Sequence, residues 1–182
     1  DFATGTIAAA IGGTTCIIDY AAQSRGGSLS AALDEWRSRA EGRAAIDYGF
    51  HMSMCDLSGD ALPEMAAMVE QGVTSFKLFM AYPGRLMLED AEIARVMRRA
   101  ADLGALVCLH AEDGHAIEAL VRAARERGDL APRVHAATRP AHLETAAVRR
   151  AIALREQAGC QLLVVHVSAG ESAEAIGGAR AR

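Results

Sequence analysis

The segment that decides the fold is residues 75–110, SFKLFMAYPGRLMLEDAEIARVMRRAADLGALVCLH. It begins and ends with apolar runs of strand length, Ser75–Met80 and Leu106–His110. Between these runs, apolar residues recur with the period of a helix, and Gly104 follows as a helix stop. The apolar face of this helix consists of Leu88, Ile93, Val96, Met97, Ala100 and Leu103. The segment therefore predicts a strand, a helix and a second strand.

The same alternation of strands and helices extends in both directions. Strand-length apolar runs occupy Thr14–Tyr20 and Ala45–Met54 before this segment and Gln161–Val167 after it. Helical patterns cover Gly114–Arg127 and Pro140–Ala158, and a glycine follows each of them as a stop. Apolar strands separated by amphipathic helices are typical of a parallel sheet that helices cover on both faces. The fold class is therefore predicted to be α/β.

Two α/β architectures satisfy this pattern, an open doubly wound sheet and a (β/α)8 barrel. The pair Gly12-Gly13 is not a dinucleotide-binding fingerprint, because G-x-G-x-x-G is absent, and the P-loop pattern is absent too. The 182 residues hold about five βα units, whereas a complete barrel needs roughly 250 residues. If the fold is a barrel, we expect residues 1–182 to form a single, partial barrel domain.

The composition argues against several classes of protein. With 51% hydrophobic residues, the chain can bury a substantial core. The net charge is −4 and the basic residues are scattered, so there is no basic stripe for a nucleic-acid backbone. The longest uncharged stretch, Phe2–Ile18, is broken by glycines and threonines, which a membrane-spanning helix disfavours. We therefore expect neither nucleic acid nor a membrane as a partner.

The cysteines bear on the cellular compartment. Cys16, Cys55, Cys108 and Cys160 form no C-x-x-C pair, and each lies in or beside an apolar run. This spacing predicts four buried free thiols, as in a protein of the reducing cytoplasm.

Lys77, His110 and His166 lie in apolar runs, where a charge or an imidazole is costly without a partner. Two interpretations of Lys77 remain open. Its side chain either reaches a strand end or pairs with a carboxylate. Alternatively, it is a desolvated amine that serves as a base, a nucleophile or a modified metal ligand. The sequence alone does not choose between them.

His110 and His166 each end a strand-length run. One such histidine is more often a core residue than a ligand, but two at equivalent strand ends favour a site, because active sites gather at the carboxyl ends of parallel strands. Imidazole is also the commonest side-chain metal ligand. Glu112 and Asp113 either orient His110 or begin the next helix as N-cap and first-turn acids. The remaining histidines, expected to be structural or solvated, are His51, His115, His135 and His142.

At these residues the sequence resembles the dihydropyrimidinase/hydantoinase family of cyclic amidohydrolases. Residues 75–82, SFKLFMAY, resemble the family's F-K-x-F-M-A-Y motif. Residues 109–113, LHAED, resemble its H-A-E-N motif, and residues 165–168, VHVS, resemble its T-H-V motif. The spacing of the three motifs agrees as well. Because Gly-Gly-Thr-Thr at residues 12–15 and Thr-Arg-Pro at residues 138–140 also match, the resemblance spans nearly the whole chain.

The resemblance implies a (β/α)8 barrel with a small β domain and a pair of divalent metal ions, expected to be zinc. It implies that Lys77 is N6-carboxylated and bridges the ions, and that His110 and His166 ligate the second ion. The implied reaction is attack of a metal-bridging hydroxide on the cyclic amide of a hydantoin or dihydropyrimidine, which opens the ring to an N-carbamoyl amino acid. Tyr82 matches the tyrosine that hydrogen-bonds the substrate carbonyl, and Leu86 occupies a substrate-loop position that is often aromatic in the family.

The match is incomplete. The family's H-x-H ligand pair would precede Asp1, and its aspartate ligand, the last barrel strands and the small β domain would follow Arg182. The 182 residues would then supply at most half of the metal-site residues. We therefore expect an internal segment of a larger enzyme that, alone, binds metal poorly and is inactive.

Three alternatives stay open. Allantoinases and dihydroorotases share the barrel and the bridging lysine, although the F-M-A-Y wording argues against them. A non-catalytic, assembly-forming relative is the second alternative, but such relatives lose ligands that this sequence keeps. A genuinely short half-barrel that dimerises is the third. For the larger enzyme, the resemblance implies a cytoplasmic homo-tetramer that acts on a small cyclic ureide or imide.

Overall fold

The computed structural model describes residues 1–181, in which helices alternate with strands. In chain order the elements are α1 (Phe2–Ile11), β1 (Cys16–Ala22), α2 (Leu29–Ala40), β2 (Asp47–Ser53), α3 (Ala61–Glu70), β3 (Ser75–Phe79), α4 (Asp90–Asp102), β4 (Leu106–His110), α5 (Gly114–Glu126), α6 (Arg133–Ala137), α7 (Ala141–Ala158), β5 (Gln161–Val164) and α8 (Gly170–Arg180). The chain forms two compact units, Asp1–Lys77 and the residues from Leu78 onward. The division falls within β3, so this strand contributes to both units.

The first unit is built on parallel strands. β1 pairs with β2 along its whole length, and β2 pairs with β3 at Met52↔Phe76 and Ser53↔Lys77. Helices α2 and α3 pack against each other, and Glu64 in α3 accepts a hydrogen bond from the Leu29 N–H at the start of α2. The fully buried side chains of this unit include Leu29, Leu33, Met52, Met54, Met65, Met68 and Phe76.

The second unit also contains parallel strands. β4 pairs with β5 from Leu106↔Gln161 to Leu109↔Val164. The Met80 N–H, just after β3, donates to the His110 carbonyl at 2.9 Å, which joins the end of β3 to the end of β4. Helix α7 packs against α4 and α8. The buried face of α4 consists of Ile93, Val96, Met97 and Ala100, as the helical period predicts.

Several bounds differ from the sequence predictions; β1, for example, was predicted over Thr14–Tyr20 and runs from Cys16 to Ala22. The last apolar run was expected to stay extended to Val167, but β5 ends at Val164, because His166 has a φ of 42° and cannot continue a strand.

Cys16 was expected to be buried, and this is wrong. It is the first residue of β1, where exposed and partly buried side chains alternate, and it is exposed. The other three cysteines are buried free thiols.

The helices that the sequence analysis did not predict include α1, whose uniformly apolar and small residues give no helical period and bury only Thr6. Among residues 1–181, no helix has both the length and the hydropathy needed to cross a membrane.

Candidate functional site

Two histidines meet at the ends of neighbouring strands in the second unit. His110 is the last residue of β4 and is only 7% exposed, whereas His166 lies two residues beyond β5 and is exposed. The Nδ1 atom of His110 lies 2.9 Å from the Nε2 atom of His166. The ends of two strands that are distant in sequence therefore bring two imidazole nitrogens within hydrogen-bonding distance.

The other ring nitrogen of His110 is held by a carboxylate. Its Nε2 atom lies 2.7 Å from Oε2 of Glu112. An ionised carboxylate only accepts hydrogen bonds, so Nε2 carries a proton and the Nε2–H group donates a hydrogen bond to Glu112. In neutral His110 the lone pair is then on Nδ1, directed at His166. Of the two interpretations of Glu112, the structure supports the one in which it orients His110.

Asp113 takes the other role that the sequence left open. It is the N-cap of α5, and its carboxylate accepts the Ala116 N–H at 3.1 Å and the Nη1–H of Arg150 at 2.8 Å. Burial alone would raise the pKa of the Asp113 carboxyl, but the hydrogen bonds from Ala116 and Arg150 outweigh it and lower the pKa.

Tyr82 lies beside the histidine pair. Its ring centroid is 5.2 Å from that of His110 and 6.1 Å from that of Phe79. Tyr82 has a φ of 68°, and its carbonyl accepts hydrogen bonds from three backbone N–H groups that follow it in a tight turn. Leu86, the other predicted substrate residue, donates one of these bonds at 3.1 Å and is partly buried. The turn thus holds both predicted substrate residues, and it places the Tyr82 ring next to His110.

A close approach between backbones supports this turn, and the sequence analysis missed it. A Cβ atom on Gly114 would lie 2.7 Å from both the Met80 carbonyl oxygen and the Ala81 Cα atom, and 2.8 Å from the Met87 sulfur. The Gly114 N–H also donates to the Met80 carbonyl at 3.1 Å. Only glycine lets the start of α5 pack this closely on the residues that lead into Tyr82. A glycine just after Asp113 was the one available sequence signal.

Lys77 lies in the first unit and is 4% exposed. It pairs with Ser53 in the parallel ladder, and strand alternation places His51 and Ser75 on the same face as Lys77. Nδ1 of His51 lies 2.5 Å from Oγ of Ser75, and its ring centroid is 5.0 Å from that of Tyr20. Burial, with a smaller contribution from the charge of Lys77, lowers the pKa of His51. The period-2 alternation of residues 51, 53, 75 and 77 was the sequence signal for this cluster.

The remaining histidines lie away from these residues. His115, His135 and His142 are exposed, and His115 pairs with Glu89 at 3.2 Å on the surface. They are solvated, as expected.

The second unit offers a donor pair suited to a metal ion. Two zinc ligands at about 2.0–2.1 Å in tetrahedral geometry are roughly 3.3 Å apart, so the nitrogens of His110 and His166 need little movement to bind one ion. The carboxylate behind His110 is also typical of zinc-binding histidines. Over residues 1–181, however, no group of three or more His, Cys, Asp or Glu side chains is arranged to hold a metal. The described residues therefore fit part of a metal site.

The sequence is similar to those of several D-hydantoinases. No family model matches the sequence. The chain is 54% identical over 171 residues to a D-hydantoinase of Streptomyces coelicolor, covering 94% of this chain and 37% of that protein. It is 46% identical to a D-hydantoinase of Geobacillus stearothermophilus, covering 99% of this chain and 38% of the relative. The chain is homologous to the D-hydantoinases and dihydropyrimidinases. The resemblance inferred from the three motifs is confirmed.

Solved structures agree with the sequence relatives. A crystal structure of dihydropyrimidinase from Brevibacillus agri matches with a TM-score of 0.97 and 44% identity, covering 100% of this chain and 40% of that structure. A D-hydantoinase structure matches with the same TM-score at 41% identity. The predicted α/β class and partial barrel are confirmed. The chain spans about two fifths of the length of these relatives.

Proposed function

We propose that the protein encoded by the complete reading frame around residues 1–182 hydrolyses the cyclic amide bond of hydantoins or dihydropyrimidines. The product is an N-carbamoyl amino acid. The observation that carries this proposal is the facing pair of His110 and His166 at two strand ends, in a chain 54% identical to a D-hydantoinase. A pair of imidazoles directed at one point suits metal-assisted hydrolysis better than acyl transfer through a nucleophilic side chain.

The proposed cofactor is a pair of divalent metal ions, with zinc as the expected metal. His110 and His166 would hold one ion, and Lys77, N6-carboxylated, would bridge the two. Carboxylation would convert the Lys77 ammonium into an anionic carbamate. An anion suits this side chain, which is 4% exposed and would contact two cations. When bound, the ions lower the pKa of water and polarise the amide carbonyl.

The residues of the second unit have separate tasks in this reaction. Glu112 holds the proton on Nε2 of His110, so that Nδ1 stays available as a ligand. The Tyr82 hydroxyl donates a hydrogen bond to the substrate carbonyl and to the negative charge that develops there. Leu86, in the same turn, contacts the substituent of the ring and limits its size.

The substrate class is a small cyclic ureide or imide, and neither nucleic acid nor a membrane is a proposed partner. We place the protein in the cytoplasm as a homo-tetramer. The buried thiols of Cys55, Cys108 and Cys160 support a reducing compartment.

The test is to express the complete reading frame and follow ring opening of hydantoin and dihydrouracil, with allantoin and dihydroorotate as comparison substrates. Activity should track bound metal, and His110→Ala and His166→Ala should each abolish it. His142→Ala, which changes an exposed histidine on α7, is the matched control and should keep full activity. Turnover of allantoin or dihydroorotate alone would overturn the substrate assignment, and an active His110→Ala variant would overturn the metal assignment.

A further inference from the structure

The turn that carries His166 is bound to helix α7 by one carboxylate. Glu144, in the first turn of α7, accepts the Ala169 N–H at 2.9 Å and the Ser168 N–H at 3.1 Å. These two amides lie two and three residues after His166 in the chain. A single side chain thereby fixes the direction of the chain just beyond His166.

This turn needs such an anchor because His166 is in an unfavourable conformation. Its φ of 42° lies in the left-handed region, which a non-glycine residue occupies only when the surrounding contacts hold it there. Inside the turn, the Ser168 hydroxyl donates to the His166 carbonyl at 3.0 Å. Glu144 adds a connection from the turn to helix α7, which lies before β5 in the chain.

The loop that carries Glu112 is bound to the same helix through a different side chain. Arg150 of α7 donates from Nη1 to Asp113 at 2.8 Å, and its Nε atom is 3.4 Å from Asp90 at the start of α4. Asp113 directly follows Glu112, which holds His110. The guanidinium therefore fixes the segment that sets the orientation of the first histidine.

Helix α7 is a suitable platform for both anchors. It spans 18 residues, packs against α4 and α8, and ends at Gly159 with a left-handed cap. Its buried face consists of Thr145, Ala147, Val148 and Ala151. Glu144 and Arg150 both belong to this helix, so movement of either loop requires breaking a charge-assisted hydrogen bond to a packed helix.

We propose that Glu144 and Arg150 are positioning residues for the His110–His166 pair. Glu144 acts on His166 through the amides of the turn, and Arg150 acts on His110 through Asp113 and Glu112. Neither side chain touches the substrate or a reacting atom. The inference rests on the proposed function, because it assumes that the two histidines share a metal ion.

The test measures metal affinity and ligand geometry as well as activity. The complete protein is stripped of metal and titrated with Co²⁺, whose visible spectrum reports the ligand geometry, and the dissociation constant is determined for each variant. Loss of a contact that orients a metal-binding histidine weakens metal binding by about 10–100-fold. We expect Glu144→Ala and Arg150→Gln to fall in this range and to shift the spectrum. Arg150→Lys should recover part of the affinity, since it keeps the charge but not the planar fork.

Matched controls separate positioning from general stability. Arg149→Gln changes the exposed neighbour of Arg150 on the same helix, and Glu118→Gln changes an exposed glutamate on α5, so both should retain the wild-type affinity and spectrum. If Glu144→Ala does not fold, Glu144→Gln decides, because it keeps the shape and loses the charge. Variants of Glu144 and Arg150 that bind Co²⁺ like these controls would overturn the inference. A Co²⁺ affinity that is the same in the His166→Ala variant as in the wild-type protein would instead overturn the proposed function.

Discussion

The phenol of Tyr82 is the side chain whose removal should separate catalysis from structure. The residue is 37% exposed, and its backbone, not its hydroxyl, makes the hydrogen bonds of the turn. Tyr82→Phe should therefore leave the melting temperature unchanged while lowering kcat by about 100-fold, as expected for a donor that stabilises developing negative charge. Measurements of kcat and KM on dihydrouracil test this. An unchanged kcat would remove Tyr82 from the mechanism.

Gly114 packs so closely on Met80 and Ala81 that an added methyl group should destabilise the protein. Gly114→Ala would bring a Cβ atom to 2.7 Å from the Met80 carbonyl oxygen, and overpacking of this kind costs about 1–3 kcal/mol. Gly177→Ala in α8 is the control, because nothing lies within 4 Å of its added Cβ and alanine favours helix by roughly 0.5–1 kcal/mol. Urea unfolding should show the first variant destabilised and the second stabilised. Equal effects would contradict the close approach.

For single residues, the sequence predicted those whose position in an apolar run is unusual for a polar side chain. His110 and His166 were identified because each lies at the end of an apolar run of strand length. The contacts of these residues were not predictable, because Glu112 and Asp113 are equally able to orient a histidine or to cap a helix. The structure assigns one role to each. The close packing of Gly114 depends on a turn about 30 residues earlier, which no local pattern encodes.

Among the elements, the start of α5 should show a defined dependence on pH. Because the folded-state pKa of Asp113 lies below its unfolded value, its contribution to stability is complete above about pH 4 and is lost as the pH falls through the folded pKa. Asp113→Asn keeps an N-cap side chain but loses the charge that Arg150 binds. The variant should be less stable by about 1 kcal/mol at pH 7, a typical loss for a charge-assisted hydrogen bond that is partly exposed.

The measurement is the free energy of urea unfolding of both proteins between pH 2 and pH 7. The difference should shrink as the medium is acidified and vanish once Asp113 is protonated in the folded state. Asp129→Asn, which removes a surface pair with Arg133, should cost less than about 0.5 kcal/mol. A difference for Asp113→Asn that is constant across the whole range would exclude the ion pair with Arg150 as its cause.

The elements themselves were predicted unevenly, for a physical reason. Helices with one apolar and one charged face, such as α4 and α5, can be predicted from the helical period of their apolar residues. Helix α1 carries no charged residue, so no face of it stands out. β5 was predicted too long because its apolar composition continues past Val164, whereas the backbone turns at His166.

For the molecule as a whole, composition and charge argued against nucleic-acid-binding and membrane proteins, whereas the proposed chemistry would depend on a metal site, of which the described residues would supply only a part. This gives a prediction that does not use turnover. A ligand that binds only the folded state stabilises it by RT ln(1 + [L]/Kd), which is about 2.7 kcal/mol at 100 times Kd. Zinc should raise the melting temperature of the complete, metal-stripped protein, and a chelator should reverse the rise.

The same experiment on variants links the stabilisation to the histidine pair. His110→Ala removes one of the two nitrogens that lie 2.9 Å apart, so the zinc-induced rise should largely disappear, whereas His135→Ala, an exposed histidine on α6, should retain it. A rise that survives in His110→Ala would mean that zinc stabilises the fold through other ligands. The proximity of His110 and His166 would then result from the parallel pairing of β4 with β5 and not from a shared ion.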